Sequence, residues 1–306
     1  MRKVTQSIKK DSMNMNLFKA LSIAIVLGAT AASADEWQTD LKSNNPIVGK
    51  IWSNTEERFI TLQQLLNELK KRDWLLLGEN HEADVHHALQ TEIIGILAQQ
   101  NQLGNVAFEM ANVEQQAALD KALGAPTTPE KLNWQKGWPW EWYESPVNEA
   151  LTKAERVLGT DLTRQQQMQA YMDEAIDHPN ESYKNFMLDI LYDGHCGKLP
   201  KSQLSNMLNV QIARDKQMGR ILTENSTDKV DIYIAGNMHV RKDAGVPFHN
   251  ALDSLSIMLL SVGDSRDPFK IVPGSYQDNP ITDYVIFTPE VEQRDHCSRI
   301  QGQSVE

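Results

Sequence analysis

The chain has 306 residues, of which 41% are hydrophobic and 23% charged, and it carries a formal net charge of −11 at pH 7. That apolar content excludes an intrinsically disordered chain, and the acidic balance disfavours nucleic acid and anionic membrane as partners. The length suits one large domain or a domain with a sizeable insertion.

At the N-terminus, Lys9, Lys10 and Lys19 precede an apolar run from Ala20 to Ala32 that is short for a bilayer span. It ends in Ala32-Ser33-Ala34, a small-x-small cleavage signal, so residues 1–34 are expected to be a secretory signal peptide cut after Ala34. Removing its five basic residues and one acidic residue takes the formal charge from −11 to −15. No cysteine lies near the cut, so the leader is not of the lipoprotein kind.

Residues 35–58 read as an irregular lead-in with a turn at Asn44-Asn45-Pro46. A helix is expected from Thr61, whose hydroxyl can cap it, through the stripe Leu62, Leu65, Leu66 and Leu69. Trp74 to Leu77 then form a continuous apolar run, suited to a strand buried on both faces, which stops at Gly78 and passes at once into Glu79, Asn80, His81 and Glu82. Asp84 to Gln100 is the next helix, with Val85, Leu89, Ile93, Ile96 and Leu97 on its apolar face. His86 and His87 fall off that stripe and are expected in solvent.

Asn105 to Glu109 is a second strand closed by a carboxylate, and a helix follows near Asn112 to Leu123. Trp134, Trp138, Trp140, Trp142 and Tyr143 crowd the next region, where Pro139 and Pro146 argue against one continuous regular element. The cluster reads either as a satellite core or as an apolar wall for a flat ligand with Tyr143 as its polar tip. Val157 to Asp161 resembles a third strand end, bringing Asp161 and Arg164 towards the same edge.

Residues 164–222 read as a helical subdomain capping the sheet. Leu204, Met207, Leu208, Met218, Ile221 and Leu222 define its buried stripe, but Gln211 and Asp215 continue that stripe and face either a polar pocket or a partly exposed turn. The strand from Val230 to Ala235 ends in Gly236-Asn237-Met238-His239, repeating the Gly-x-x-His grammar of Gly78 to His81. Leu255 to Val262 and Tyr284 to Thr288 bring the strands to about six. Apolar strands alternating with helices predict an α/β fold: a mainly parallel sheet flanked by helices, with a smaller helical insertion or cap domain.

Two such strands in one parallel sheet bring His81 and His239 to its carboxyl edge, where ligands of open α/β sheets bind. With Glu79 and Glu109 they are candidate catalytic groups, and two imidazoles with a carboxylate meet the minimum for a divalent metal ion with open positions. Without metal, a histidine oriented by a glutamate could act as general base on an ester; a structural histidine at a strand end is the third alternative. The helix-borne HExxH and the GxSxG patterns are absent from the sequence. Cys196 and Cys297, the only cysteines, are a disulfide candidate in an exported chain, and closing that loop stabilises the fold by roughly 4 to 5 kcal/mol in the chain-entropy model.

Taken together, GENH at 78–81, FEM at 108–110, HCGKLP at 195–200, QIARDKQM at 211–218, GNMHVRKDAGVP at 236–247, and DYVIFTP with DHC near the end resemble the ChaN family. Those are haem-binding, iron-regulated factors in the wider group that includes Tiki proteases and erythromycin esterases. The resemblance runs from about Trp74 to Cys297. It implies haem bound between two subunits of a homodimer, the iron held by a tyrosine with a histidine of the facing subunit nearby. Tyr143, and behind it Tyr192, is the expected ligand and His195 the partner histidine.

The resemblance further implies a soluble periplasmic protein of haem or iron acquisition, with a haem-uptake receptor as a further partner. A metal-dependent peptide or ester hydrolase at the paired histidines is the rival reading. This chain departs from the family in lacking the lipid-bearing cysteine of some members, and in Asp161, where relatives are expected to carry asparagine.

Overall fold

The computed structural model describes residues 37–173, 176–277, 279–291 and Cys297; the expected signal peptide, residues 1–34, lies outside the described residues. In chain order the elements are β1 (Ile51–Ser53), β2 (Arg58–Ile60), α1 (Leu62–Leu69), β3 (Trp74–Glu79), α2 (Asp84–Gln99) and β4 (Leu103–Asn112). A 3-10 turn, Val113–Gln115, leads into α3 (Gln116–Ala122), α4 (Trp140–Lys153) and β5 (Val157–Asp161). Then come α5 (Arg164–Met172), α6 (Glu181–Gly194), α7 (Lys201–Glu224), β6 (Val230–Gly236), α8 (Val246–His249), β7 (Ser254–Val262), α9 (Pro268–Ile271) and β8 (Tyr284–Pro289).

The strands form one sheet in the order β2-β1-β8-β7-β3-β6-β4-β5. β3 to β8 pair in parallel, as the α/β reading requires, and among the described residues only the pairings of β1, with β8 and with β2, are antiparallel, at one edge. These two are the strands missing from the expected six. Each is three residues long, too short to show a period, and they lie in the stretch read as irregular.

β3 is buried along its whole length, and its residues alternate between two cores. Leu75 and Leu77 join the cluster under α1, α2 and α4, whereas Trp74 and Leu76 join Met218, Ile221 and Leu222 of α7 on the opposite face. α1 starts as expected: Thr61 and Gln64 exchange hydrogen bonds in a capping box, and all four stripe leucines are buried.

Three expectations are corrected. Pro146 sits inside α4, which runs continuously from Trp140 to Lys153, with Pro139 at its cap. His86 and His87, expected in solvent, are buried: His86 faces the end of the sheet, and His87 lies under Trp142 and Tyr143 of α4, which packs over the outer side of α2. His86 accepts from the Asn80 N–H and reaches Thr288 at the end of β8, both at 2.9 Å. The tryptophans are no isolated satellite either; Trp134, Trp138, Trp140 and Trp142 pack on the main core around a fully buried Tyr143.

Residues 164–222 hold the helices α5, α6 and most of α7. Tyr183 and Met187 of α6 meet Leu208 and Ile212 of α7 in a small core completed by Ala244 and Tyr276. Among the described residues no helix is long and apolar enough to cross a membrane.

Gly78 marks where β3 passes closest to its neighbour. A Cβ there would stand 2.6 Å from Asn237 Oδ1 and closer still to Val240 Cγ2, with the Asn237 backbone at 3.2 Å. Gly78→Ala is therefore expected to cost about 1–3 kcal/mol, read as a lower urea midpoint with an unchanged slope.

Candidate functional site

In the strand order β3-β6-β4-β5, four carboxyl ends stand side by side. Glu79 closes β3, Gly236 closes β6 three residues before His239, Glu109 lies near the end of β4 and Asp161 closes β5. Glu79 pairs in register with Gly236, so the two Gly-x-x-His turns leave the sheet together, one residue out of step. A Cβ on Gly236 would lie 2.6 Å from His81 Nε2, so this glycine lets the imidazole close over β6.

Glu79 is buried and holds the first half of the site. His81 Nδ1 lies 2.7 Å from its Oε1, the Tyr143 hydroxyl donates to the same oxygen at 2.8 Å, and Gln90 Nε2 donates to Oε2. His87 Nε2 stands 3.4 Å from Oε2, close enough for charge but without hydrogen-bond alignment. Burial pushes the Glu79 carboxyl up, but the His81 hydrogen bond and the nearness of both imidazoles win and hold it far below the ordinary range. Tyr143 moves the other way. Burial first, then the Glu79 charge, drive its hydroxyl well above 10.0, so it stays protonated.

Glu109 holds the second half. Its Oε2 accepts from the Gly236 N–H at 2.6 Å, and its Oε1 accepts from Arg214 Nη2 at 2.7 Å and faces His239 Nε2 at 3.2 Å. Arg214 also binds Asp161 through Nε at 2.8 Å and Nη2 at 2.9 Å. Opposite, His239 Nδ1 donates to the fully buried Asp215 at 2.6 Å, with the Gln211 amide 3.1 Å away. Burial disfavours the His239 cation, but Glu109 and Asp215 overcome it and raise its pKa to about 10. His81, whose Nε2 is 3.8 Å from Glu109, is raised as well: burial opposes the shift and Glu109 with Glu79 carry it.

The edge thus brings together all four expected carboxyl-edge groups, Glu79, His81, Glu109 and His239, and adds Tyr143 to them. Chemically it can donate or accept a proton at His81. The expected divalent metal set is not assembled. Among the described residues no group of three carboxylate, imidazole or thiol side chains is arranged to hold a metal ion. Arg214 occupies the space between Glu109 and Asp161, and each imidazole is committed to a carboxylate, so the donor set does not fit a metal.

Tyr192 and His195 stand elsewhere, at the C-terminal end of α6. The Tyr192 side chain is 45% exposed, and His195 caps the helix with its Nδ1 on the Leu191 carbonyl at 2.7 Å. Cys196 next to it is disulfide-bonded to Cys297, as expected of the only two cysteines. Tyr143 and Tyr192 therefore belong to different sites.

The site residues not singled out beforehand are Arg214 and Gln90, and His87 was expected in solvent. Gln211 and Asp215, one turn apart on an apolar stripe, were the available signal for Arg214, because a buried acid on α7 calls for cations nearby. Gln90 lies on the sheet-facing side of α2 with Ile94 and Leu97, which was its available signal, whereas nothing in the period of α2 marks His87 as buried, since α4 covers it.

A family model described as haem-binding uptake, Tiki superfamily, ChaN, matches residues 65–249. Among solved structures, ChaN of Campylobacter jejuni, described with cofacial haem binding, is 28% identical over 77% of this chain and 95% of that one, with a TM-score of 0.63. The type III effector HopBA1 is 18% identical over 74% of this chain and 92% of its own, at a TM-score of 0.45. A variant of the erythromycin esterase EreC in its open conformation is 14% identical over 78% and 81%, at 0.41. No curated protein matches the chain.

Two outcomes follow from the edge. Arg214→Leu strips the cation from two buried carboxylates and is expected to cost about 3–5 kcal/mol in urea unfolding. Stability should also peak near neutral pH. The His239 contribution is complete below its ordinary 6.5 and is lost as pH rises towards about 10. Glu79 and Glu109, held low, contribute above their ordinary 4.5 and lose that contribution as pH falls. His86, lowered by burial to about 4, adds to the acid-side loss between 6.5 and about 4. Urea midpoints against pH check this, and His239→Asn should flatten the alkaline limb.

Proposed function

This chain belongs to the ChaN family of haem-binding uptake proteins in the Tiki superfamily, and from that premise we propose that it is a periplasmic haem-binding protein of haem or iron acquisition. The observation that carries the reading to particular residues is the end of α6. There an exposed tyrosine and a histidine three residues later sit in one turn. The Nδ1–H of His195 donates to a backbone carbonyl, which leaves Nε2 bare in the neutral ring.

An exposed tyrosine hydroxyl and an imidazole nitrogen are a donor set that fits ferric haem. When bound, haem would supply the redox and ligand chemistry of its iron. Tyr192 would hold it, with His195 as the partner histidine. Tyr143 fits less well, because its hydroxyl is buried, bonded to Glu79 and held protonated.

Solvent exposure of the α6 turn leaves it open to a haem held between two copies of the chain, as the family resemblance implies. On this reading residues 1–34 direct export and are removed, haem loading drives homodimer formation, and an uptake receptor exchanges haem with the protein.

A second reading concerns the carboxyl edge. His81 is partly exposed and has a buried glutamate behind it, which favours a hydrolase that moves a proton at His81 without a metal.

Haemin titration of residues 35–306, followed by absorbance and sizing, is expected to give saturable binding, a ferric tyrosinate spectrum and a shift towards dimer. Tyr192→Phe should abolish that spectrum and weaken binding at least about tenfold. Tyr143→Phe should keep it; loss of the spectrum in that variant instead would move the ligand to the carboxyl edge. For the second reading, His81→Ala should abolish turnover of an activated ester while leaving the haem spectrum unchanged.

A further inference from the structure

The turn after α6 has an unusual backbone. His195 caps the helix, and the next two residues are both left-handed, Cys196 at φ +59° and Gly197 at φ +68°. Gly197 adopts that conformation freely, but Cys196 carries a Cβ that disfavours it. Hydrogen bonds within the turn, among them the Cys196 N–H to the Asp193 carbonyl at 2.9 Å, support that backbone, and a covalent bond from outside adds to them. Cys196 is bonded to Cys297, and Lys198 Nζ donates to the Cys297 carbonyl, so Cys297 ties the turn from outside.

Tyr192 and His195 depend on that turn. The Gly197 N–H donates to the Tyr192 carbonyl at 2.9 Å, the His195 N–H donates to the Leu191 carbonyl at 3.0 Å, and the Tyr192 ring lies against Gly197. A Cβ on Gly197 would stand 3.0 Å from the Tyr192 hydroxyl. The orientation of the exposed phenol is thus set by the residue next to the disulfide. The disulfide itself is accessible, with Cys196 only partly buried and Cys297 exposed. Exposed disulfides are the ones open to thiol exchange.

We propose that the Cys196–Cys297 bond is a redox control on the Tyr192–His195 turn: closed, it holds the turn in the form that receives haem, and reduction lets the haem go. This rests on the haem reading given above. The reductant is an external dithiol. One of its thiolates attacks a sulfur of the pair, the Cys196–Cys297 bond breaks, and the second thiolate resolves the mixed disulfide. The donor leaves as a disulfide, and two electrons and two protons remain on Cys196 and Cys297 as thiols. Freed of the bond, Cys196 leaves the left-handed region, and the contacts of Gly197 with Tyr192 go with it.

The test is haemin titration of the full chain, oxidised and then reduced with a dithiol and capped with iodoacetamide, beside the double variant Cys196→Ser, Cys297→Ser. Amide hydrogen exchange of residues 191–198 in the haem-free protein gives a readout independent of the haem. The expected result is at least about tenfold weaker haemin binding in the capped protein and the double variant, with faster exchange in the turn and unchanged exchange in β3 and β6. Capped wild type carries the test should the double variant not fold. Equal affinity and spectrum in oxidised and capped protein, or unchanged exchange in the turn, would overturn the switch and leave haem binding standing. Absence of haemin binding by the oxidised chain would overturn both.

Discussion

The carboxylate of Glu109 is the constraint on which the centre of this protein depends. It lies buried at the carboxyl edge of a parallel sheet, where an unpaired charge would cost several kcal/mol. Its partners come from three directions: the Gly236 N–H from the neighbouring strand, Arg214 from the covering helix and His239 from the turn after β6. The position of β6 between β3 and β4 and the seat of α7 are therefore joined through one side chain. Asp161 and Asp215 extend the same compensation, so that three acids surround one guanidinium and one imidazole. The excess of negative charge is what keeps His239 protonated.

Two regions of different character result. At the carboxyl edge nearly every polar group is bonded to another, and the arrangement is rigid because each member satisfies its neighbour. The end of α6 is open, with an aromatic hydroxyl in solvent and few contacts beyond its own turn. A ligand that must be collected and handed on suits the second better than the first, since release from a closed network would leave buried charges without partners.

Where the sequence carried a long period or an abrupt change of composition, the fold was legible. β3 announced itself by four apolar residues before a glycine, and α1 by its leucine stripe and threonine cap. β1 and β2 were not legible because three-residue strands have no period to read and owe their pairing to β8. For the site, the repeated Gly-x-x-His turns correctly brought Glu79, His81 and His239 together, because parallel register follows from strand polarity alone. The environment of His87 could not be read that way. A helix covered on one face and one covered on two have similar sequences, and the difference lies in where α4 packs. Pro146 misled for a related reason: tertiary packing holds a helix that local propensity would break. Arg214 lay within a recognised segment, but its role required knowing which carboxylates would be buried beneath α7.

The strand order has a consequence for how the chain acquires its structure. β3 is buried along its whole length and stands at the middle of the sheet, yet both of its neighbours, β6 and β7, are encoded more than 150 residues later. Until the segment from Val230 to Val262 is available, this strand has no bonding partner on either side, and α1 and α2 shelter one face only. Long-range closure of this kind slows folding and leaves a sticky strand exposed while it lasts. A fragment ending after α7 would keep most of the helices and lack the pairing that makes them a domain, so the unit of folding is close to the whole chain.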